Sequence, residues 1–442
     1  MYEIDNLLND SINELSKQEY SNFDKYLGEI GQLMQRNDLT ASTQSIQNVL
    51  NYIPNPNEVI ELRLFRALLV LIRNIATSIS DENVFVSAIS SFIKFSQLPN
   101  NNNEWILKTS EIYWQLLANF PRNTSVEPLN DIFQDVNDDF KSPIIHLLFR
   151  QFYTEDSTIT NEKLLQLLKL SPKQNHLLEY IYHLYTTLQL HESTLDHDSS
   201  MLVHLLYDII THESFGKCIQ GNQPFLIHWL ELTRDIIQTK DNWNNFELVA
   251  LLSWNLEIFM NYSQLLIDNE DLNNVELESI LVNNLNILAE LSKFNLMKDF
   301  IKHQQTDFLA RLIKLFKLLH NKISPIKLSD KQKIQQLKYP EVKTFIIIII
   351  SYLTYESFEI QEQIRTLGGL SLILSNCIID DNNPFIKEQA IICLKYLLLN
   401  NYENQKFVGE LEAKRVVDDQ VLQEVGYEVE VMDGKVVVKK RN

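Results

Sequence analysis

Glycine and proline are scarce in this chain. Nine Gly and eleven Pro among 442 residues make up under 5% of the sequence, against an average of about 12%. Folds built mainly of strands need many tight turns, and such turns draw on both residues. The shortage therefore excludes a β-sandwich, a barrel or a propeller, and argues against the Gly-rich loops that cradle phosphates. Cysteine is scarcer still. Cys218, Cys377 and Cys393 are too few for a disulfide framework and point to a reducing, intracellular setting. Positive charge is also short, with 39 Lys and Arg against 58 Asp and Glu, a formal net charge of −19. That field repels phosphate backbones, so nucleic acid is not an expected partner. The longest purely apolar run, Phe345 to Ile350, is far below the ~18 residues that cross a bilayer. The opening Met1-Tyr2-Glu3-Ile4-Asp5 is acidic where a leader peptide is basic. The expectation is a cytoplasmic protein with no transmembrane segment.

What remains is ample material for a helical core, at 45% hydrophobic and 10% aromatic residues. Ile4, Leu7, Leu8, Ile12 and Leu15 follow the spacing of one helix face. Similar segments recur to about Phe407, separated by sparse breakers such as Asn55-Pro56, Leu98-Pro99, Ser142-Pro143, Gln223-Pro224 and Asn383-Pro384. Helices joined by short polar turns over such a length describe a stack of helical hairpins. Leu62–Ile75 and Val342–Leu353 are apolar on nearly all sides, as befits the inner helices of an α-solenoid. The isoleucine run could also form a strand, but its helical surroundings favour helix. A hairpin is expected over 427–439, where Asp433-Gly434 separates two alternating β-branched runs.

The segment from Leu367 to Val408 places Gly368-Gly369, an apolar half-helix, an acidic-polar turn and an Ala390-bearing apolar helix in succession. That order resembles an armadillo repeat. Gly368-Gly369 permits a sharp turn, Leu370, Ile373 and Leu374 face the core, and Asn383 with Pro384 reads as the cap and first position of the next helix. Asp380 and Asp381 then lie by its positive end. More narrowly, Cys377 to Glu388 (CIIDDNNPFIKE), Asn401 to Phe407 (NYENQKF) and the terminal GKVVVKK resemble the ataxin-10 domain. Leu64–Ala76 resembles an arginine-bearing helix in that family's N-terminal half. The structural motif residues are therefore Gly368, Gly369, Asp380, Asp381, Asn383, Pro384, Phe385, Glu388, Asn404 and Gln405.

The resemblance implies an all-α, armadillo-like solenoid with a small C-terminal hairpin. Residues 1–335 would form N-terminal helical repeats and 336–441 the ataxin-10 domain. It also implies a non-enzymatic scaffold that regulates cytokinesis by binding other proteins, with self-association left open. Fungal members carry a name taken from copper transport.

No catalytic motif is present: there is no G-x-S-x-G, P-loop, H-E-x-x-H or kinase-type loop, and no cofactor is expected. Copper(I) would need closely spaced thiolates or thioethers, whereas Cys377 and Cys393 stand sixteen apart and Met is unclustered. The alternative, a metal-handling role, rests on His176, His183, His191, His197, His204 and His212; these more simply lie on separate helices. An adaptor for nuclear transport is a third reading, but the five tryptophans show no repeat spacing. The most suggestive feature is basic. Between Lys298 and Lys343 eleven Lys and Arg face four Asp and Glu, a local +7 that leaves −26 on the rest. Arg311, Lys314, Lys317 and Lys322 fall on or near one helix, and Lys327, Lys331, Lys333 and Lys338 follow it. They form the candidate docking patch for an acidic partner or an anionic membrane surface, to be weighed against an ordinary solvated face.

Overall fold

The computed structural model describes residues 2–36, 38–79, 81–99, 103–121, 125–135, 140–188, 196–304, 307–326, 337–410, 426–432 and 435–440. Within them the chain is overwhelmingly helical, with twenty-two α-helices. The helix starts explain themselves locally. Ser42, Asp81, Asn103, Asn175 and Asn274 each accept a backbone N–H of the following turn, satisfying donors that a helix leaves unpaired. Asn244 and Glu247 form a reciprocal capping box at the head of the longest helix, Asn245–Asn269.

Two compact units divide the chain, Met1–Ile209 and Ile210–Asn442. In the first, the Val59–Ile75, Glu104–Asn119 and Lys141–Phe152 helices lie side by side. In the second, Gln223–Ile237, Val275–Leu291, Val342–Thr354 and Ile386–Leu398 form a similar series. Neighbours are bonded at a recurring sequence offset. It is 42 residues for Arg66 with Lys108 and Arg73 with Gln115. It is 44 for Trp254 with Ile210, and 40 for Lys343 with Asn383 and Gln361 with Asn401. The isoleucine run is helical, with Ile346, Ile347, Ile349 and Ile350 fully buried. Its neighbours on several sides make an all-round apolar surface stable there.

Tyr427–Met432 and Lys435–Lys440 pair antiparallel, Tyr427 opposite Lys440 and Met432 opposite Lys435. The second strand lies alongside the Tyr402–Glu410 helix.

One expected cap is reassigned. The Ile386–Leu398 helix is preceded by Phe385 in left-handed backbone at φ 59°, with no side-chain cap, so Pro384 lies outside its first turn. Asn383 instead accepts the amide of Lys343 at 3.0 Å, serving the first turn of the neighbouring Val342–Thr354 helix. Sequence reading assigns a cap to the helix that follows; here the unsatisfied donor belongs to a helix forty residues earlier.

Candidate functional site

The basic patch is built on the Phe308–Lys322 helix. Phe308, Leu312, Ile313, Leu315, Phe316 and Leu319 are buried on its inner face, while Lys314 and Lys317 are exposed on the opposite one. Among the described residues neither lysine has a carboxylate partner. Several other cations of the stretch are engaged. Arg311 donates to the Met260 carbonyl at 2.9 Å. Lys322 pairs with Glu270 at 2.6 Å, a half-exposed contact worth little in stability. Lys302 pairs with Glu359 at 3.3 Å, and Lys298 donates to the Tyr355 carbonyl at 2.7 Å. A cleft of about 470 Å³ sets Glu270 and Asp271 near Lys322 and the half-buried Lys338. The compositional +7 is therefore not one uniform positive field. Lys327, Lys331 and Lys333 lie outside the described residues.

The motif residues at 380–383 form a clip. Asp380 Oδ1 accepts the amides of Ile326 at 3.0 Å and Asn382 at 3.1 Å. Its Oδ2 faces Lys343 Nζ at 3.1 Å and accepts Asn383 Nδ2 at 2.8 Å. The Asp381 amide donates to the Ile326 carbonyl at 2.8 Å, and Asn382 Nδ2 to the Lys338 carbonyl at 2.9 Å. Asp380 and Asp381 thus hold the chain at 326, and Asn382 holds it at 338. Burial pushes the Asp380 carboxyl up, but the Ile326 amide, the Lys343 charge and the Asn383 amide outweigh it and hold the carboxyl below its usual range. Asp380 was expected to act on a helix dipole; its role is to pair with a buried lysine. Lys343 was missed by sequence reading, and the one available signal was a charge inside an otherwise apolar run.

The remaining motif residues are placed as follows. Gly368 sits at φ 80°, and a Cβ on Gly369 would come within 2.7 Å of Ile313 and 2.8 Å of Ile364. Phe385 is 74% exposed, as is Glu388 in large part. Asn404 and Gln405 donate to the Leu397 and Leu398 carbonyls, both at 2.8 Å, closing the free end of the Ile386–Leu398 helix.

Cys218 and Cys393 are buried and Cys377 is half-buried. Burial raises the Cys218 thiol to about 11 and pushes Cys393 well above its ordinary value, which makes both poor nucleophiles and ligands. His176 and His183 share one helix, and His197 and His204 another. His212 lies in the following turn, and His191 falls outside the described residues. No group of three His, Cys, Asp or Glu converges as a metal site among the described residues. Likewise, no described helix is long and apolar enough to cross a membrane.

Helices stacked on neighbours some tens of residues away along the chain define, within each unit, a helical-repeat protein. Residues 342–439 match the family described as the spinocerebellar ataxia type 10 protein domain. The chain is 47% identical to the ataxin-10 homolog of Candida albicans over 99% of both chains. It is 35% identical to that of Debaryomyces hansenii, over 86% of this chain and 80% of the relative. Ataxin-10 of Xenopus tropicalis matches at 38% over 22% of this chain and 20% of its own. The chain belongs to the ataxin-10 family. An engineered protein of known structure is similar at 12% identity and a TM-score of 0.33, over 95% of this chain and 97% of its own, a likeness too weak to bear on function.

Proposed function

We propose that this chain is a non-enzymatic, armadillo-type scaffold that works by binding other proteins. In this reading residues 1–335 form an N-terminal repeat region, and 336–441 an ataxin-10 domain closed by the terminal hairpin. The process is regulation of cytokinesis in the cytoplasm, a reading supported by family membership. The observation that carries the binding role is the pair Lys314 and Lys317. They are exposed on a helix whose other cations are already engaged, in a chain whose carboxylates outnumber its cations. Unpaired cations there offer an acidic partner Coulombic attraction without displacing an internal contact.

Charge reversal tests this directly. Lys314→Glu with Lys317→Glu is expected to reduce salt-sensitive capture of partners from dividing cells, with the helix content unchanged. An identical set of captured proteins from wild type and variant overturns the assignment of the patch. Proximity labelling through division that returns no division-site protein overturns the process. No observation favours the metal-handling alternative over this one.

A further inference from the structure

Four arginines of the first unit stand without a carboxylate among the described residues. Arg63, Arg66 and Arg73 are three and seven residues apart on the Val59–Ile75 helix, a spacing that aligns them on one face. Each meets the Glu104–Asn119 helix forty-two residues further on. The Arg63 guanidinium lies 5.5 Å from the Trp105 ring centre and 5.2 Å from that of Phe23. Arg66 Nε donates to the Lys108 carbonyl at 3.3 Å. Arg73 donates through Nη1 to Gln115 Oε1 and, through Nε at 3.2 Å and Nη2 at 3.1 Å, to Asn74 Oδ1. Arg150, on the Lys141–Phe152 helix, donates through Nε to the Phe120 carbonyl at 3.1 Å. These partners are ring faces, carbonyls and neutral amides. Among the described residues no Asp or Glu forms an ion pair with any of the four, although the chain holds 58 such residues.

A cleft of about 660 Å³ opens beside Arg73 and Arg150, with Gln115 and Asn119 also on its wall and Phe149 and Met201 in its apolar lining. That volume falls in the ordinary range of ligand sites, about 300–1,000 Å³. Among the described residues two carboxylates lie nearby, each held by a residue of the cleft wall. Asp198 faces His146 Nε2 at 3.3 Å, and Glu111 accepts Gln115 Nε2 at 3.1 Å. Burial disfavours the Arg73 charge most, the Arg66 charge adds to that, and Glu111 offsets it only in part. Neither carboxylate forms an ion pair with Arg73 or Arg150.

We propose that this face is a docking groove for an extended acidic peptide of a partner protein, whose carboxylates are taken by Arg66, Arg73 and Arg150. The guanidinium fork matches a carboxylate bidentately. In Arg66 and Arg150 the Nε contact leaves the terminal Nη groups to do so; in Arg73 each Nη already donates once and keeps one N–H for a single hydrogen bond to a carboxylate. Seven helical residues span about 10 Å at 1.5 Å each. An extended strand advances about 3.3 Å per residue, so Arg66 and Arg73 match acidic residues three apart. A nucleic-acid duplex is repelled by the net charge of −19, and a flat bilayer does not enter a cleft. The inference deepens the scaffold reading by naming a partner class, at a surface separate in sequence from Lys314 and Lys317.

The test uses the full chain and a fluorescein-labelled dodecapeptide of Glu-Thr-Ser repeats, followed by fluorescence anisotropy at low and raised salt. Saturable, salt-weakened binding is expected, lost when every Glu of the peptide is Gln. The triple variant Arg66→Gln, Arg73→Gln, Arg150→Gln is expected to lose at least about tenfold in affinity, a factor that corresponds to 1.4 kcal/mol. Should the triple variant lose helicity, Arg150→Gln alone, which gives up only the Phe120 contact, is expected to weaken binding about threefold. Three results overturn the proposal: no binding of the Glu peptide, equal binding by the arginine variants, or equal loss in the Lys314→Glu, Lys317→Glu variant. A serine-phosphorylated peptide that binds where the Glu peptide does not would also overturn it, in favour of a phosphate reader. The lysine variant's capture from cells reports on the scaffold reading independently.

Discussion

Asp380 and Lys343 carry the tightest argument at the scale of single residues. Their side chains are 1% and 2% exposed and 3.1 Å apart. Removing one partner of such a pair strands a buried charge and costs about 3–5 kcal/mol. Asp380→Ala is expected to exceed Lys343→Met in urea denaturation, because Asp380 also satisfies the Ile326, Asn382 and Asn383 donors; the reverse order would refute the clip. The pH dependence has a definite sign. The folded carboxyl is held below its ordinary 3.8, so its stabilisation is complete above that value and lost as pH falls through the lower folded one. The melting temperatures of wild type and Asp380→Asn are expected to differ by a constant amount at neutral pH and to converge below about pH 4. Thiol titration gives a third check: Cys377 is expected to react in the folded chain, and Cys218 and Cys393 only on unfolding. Little of this was legible in sequence. Lys343 is hidden in an apolar run, and its partner lies thirty-seven residues away, beyond any local pattern.

Elements were far more legible, because hydrophobic periodicity is a local property. Leu62–Ile75 and Val342–Leu353 read as helices enclosed by neighbours, and most of their apolar residues are buried. The run of isoleucines, ambiguous by propensity, is resolved by burial on several sides. Reading failed where an element's end depends on another element. Asn383 and Pro384 look like the head of the helix they precede, yet Asn383 serves Lys343 and Phe385 takes the strained position. Gly369 shows the same dependence between elements. Its missing Cβ makes room for Ile313 of the lysine-bearing helix. Gly369→Ala is expected to cost about 1–3 kcal/mol by overpacking. It should also loosen the Phe308–Lys322 helix, seen as faster amide exchange over 308–322. Unchanged exchange there would mean the contact yields without cost.

At the scale of the molecule, composition alone excluded sheet-rich folds and gave the net charge, but it misplaced the basic region's meaning. A surplus of +7 over 298–343 looked like one surface. Lys343 is buried, Lys322 and Lys302 are paired, and Arg311 bonds a carbonyl; on the Phe308–Lys322 helix this leaves Lys314 and Lys317 as the exposed lysines without a carboxylate among the described residues. Conversely the arginines of Val59–Ile75 drew attention only as a family echo, since counting charges does not show which of them lack partners. Because each helix bonds chiefly to neighbours along the series, a defect should spread by proximity. In Asp380→Ala, amide protection is expected to fall most over 308–410 and less over 223–237; uniform loss across both would contradict the nearest-neighbour picture.

The offset of 40 to 57 residues between many bonded neighbours has a further consequence, in time rather than space. Such separations are roughly a tenth of the chain length, in the range of low relative contact order. A helix therefore finds its partner soon after both have left the ribosome, and each new pair adds to one already formed. Assembly can proceed from the N-terminal end during synthesis, without waiting for distant segments to meet.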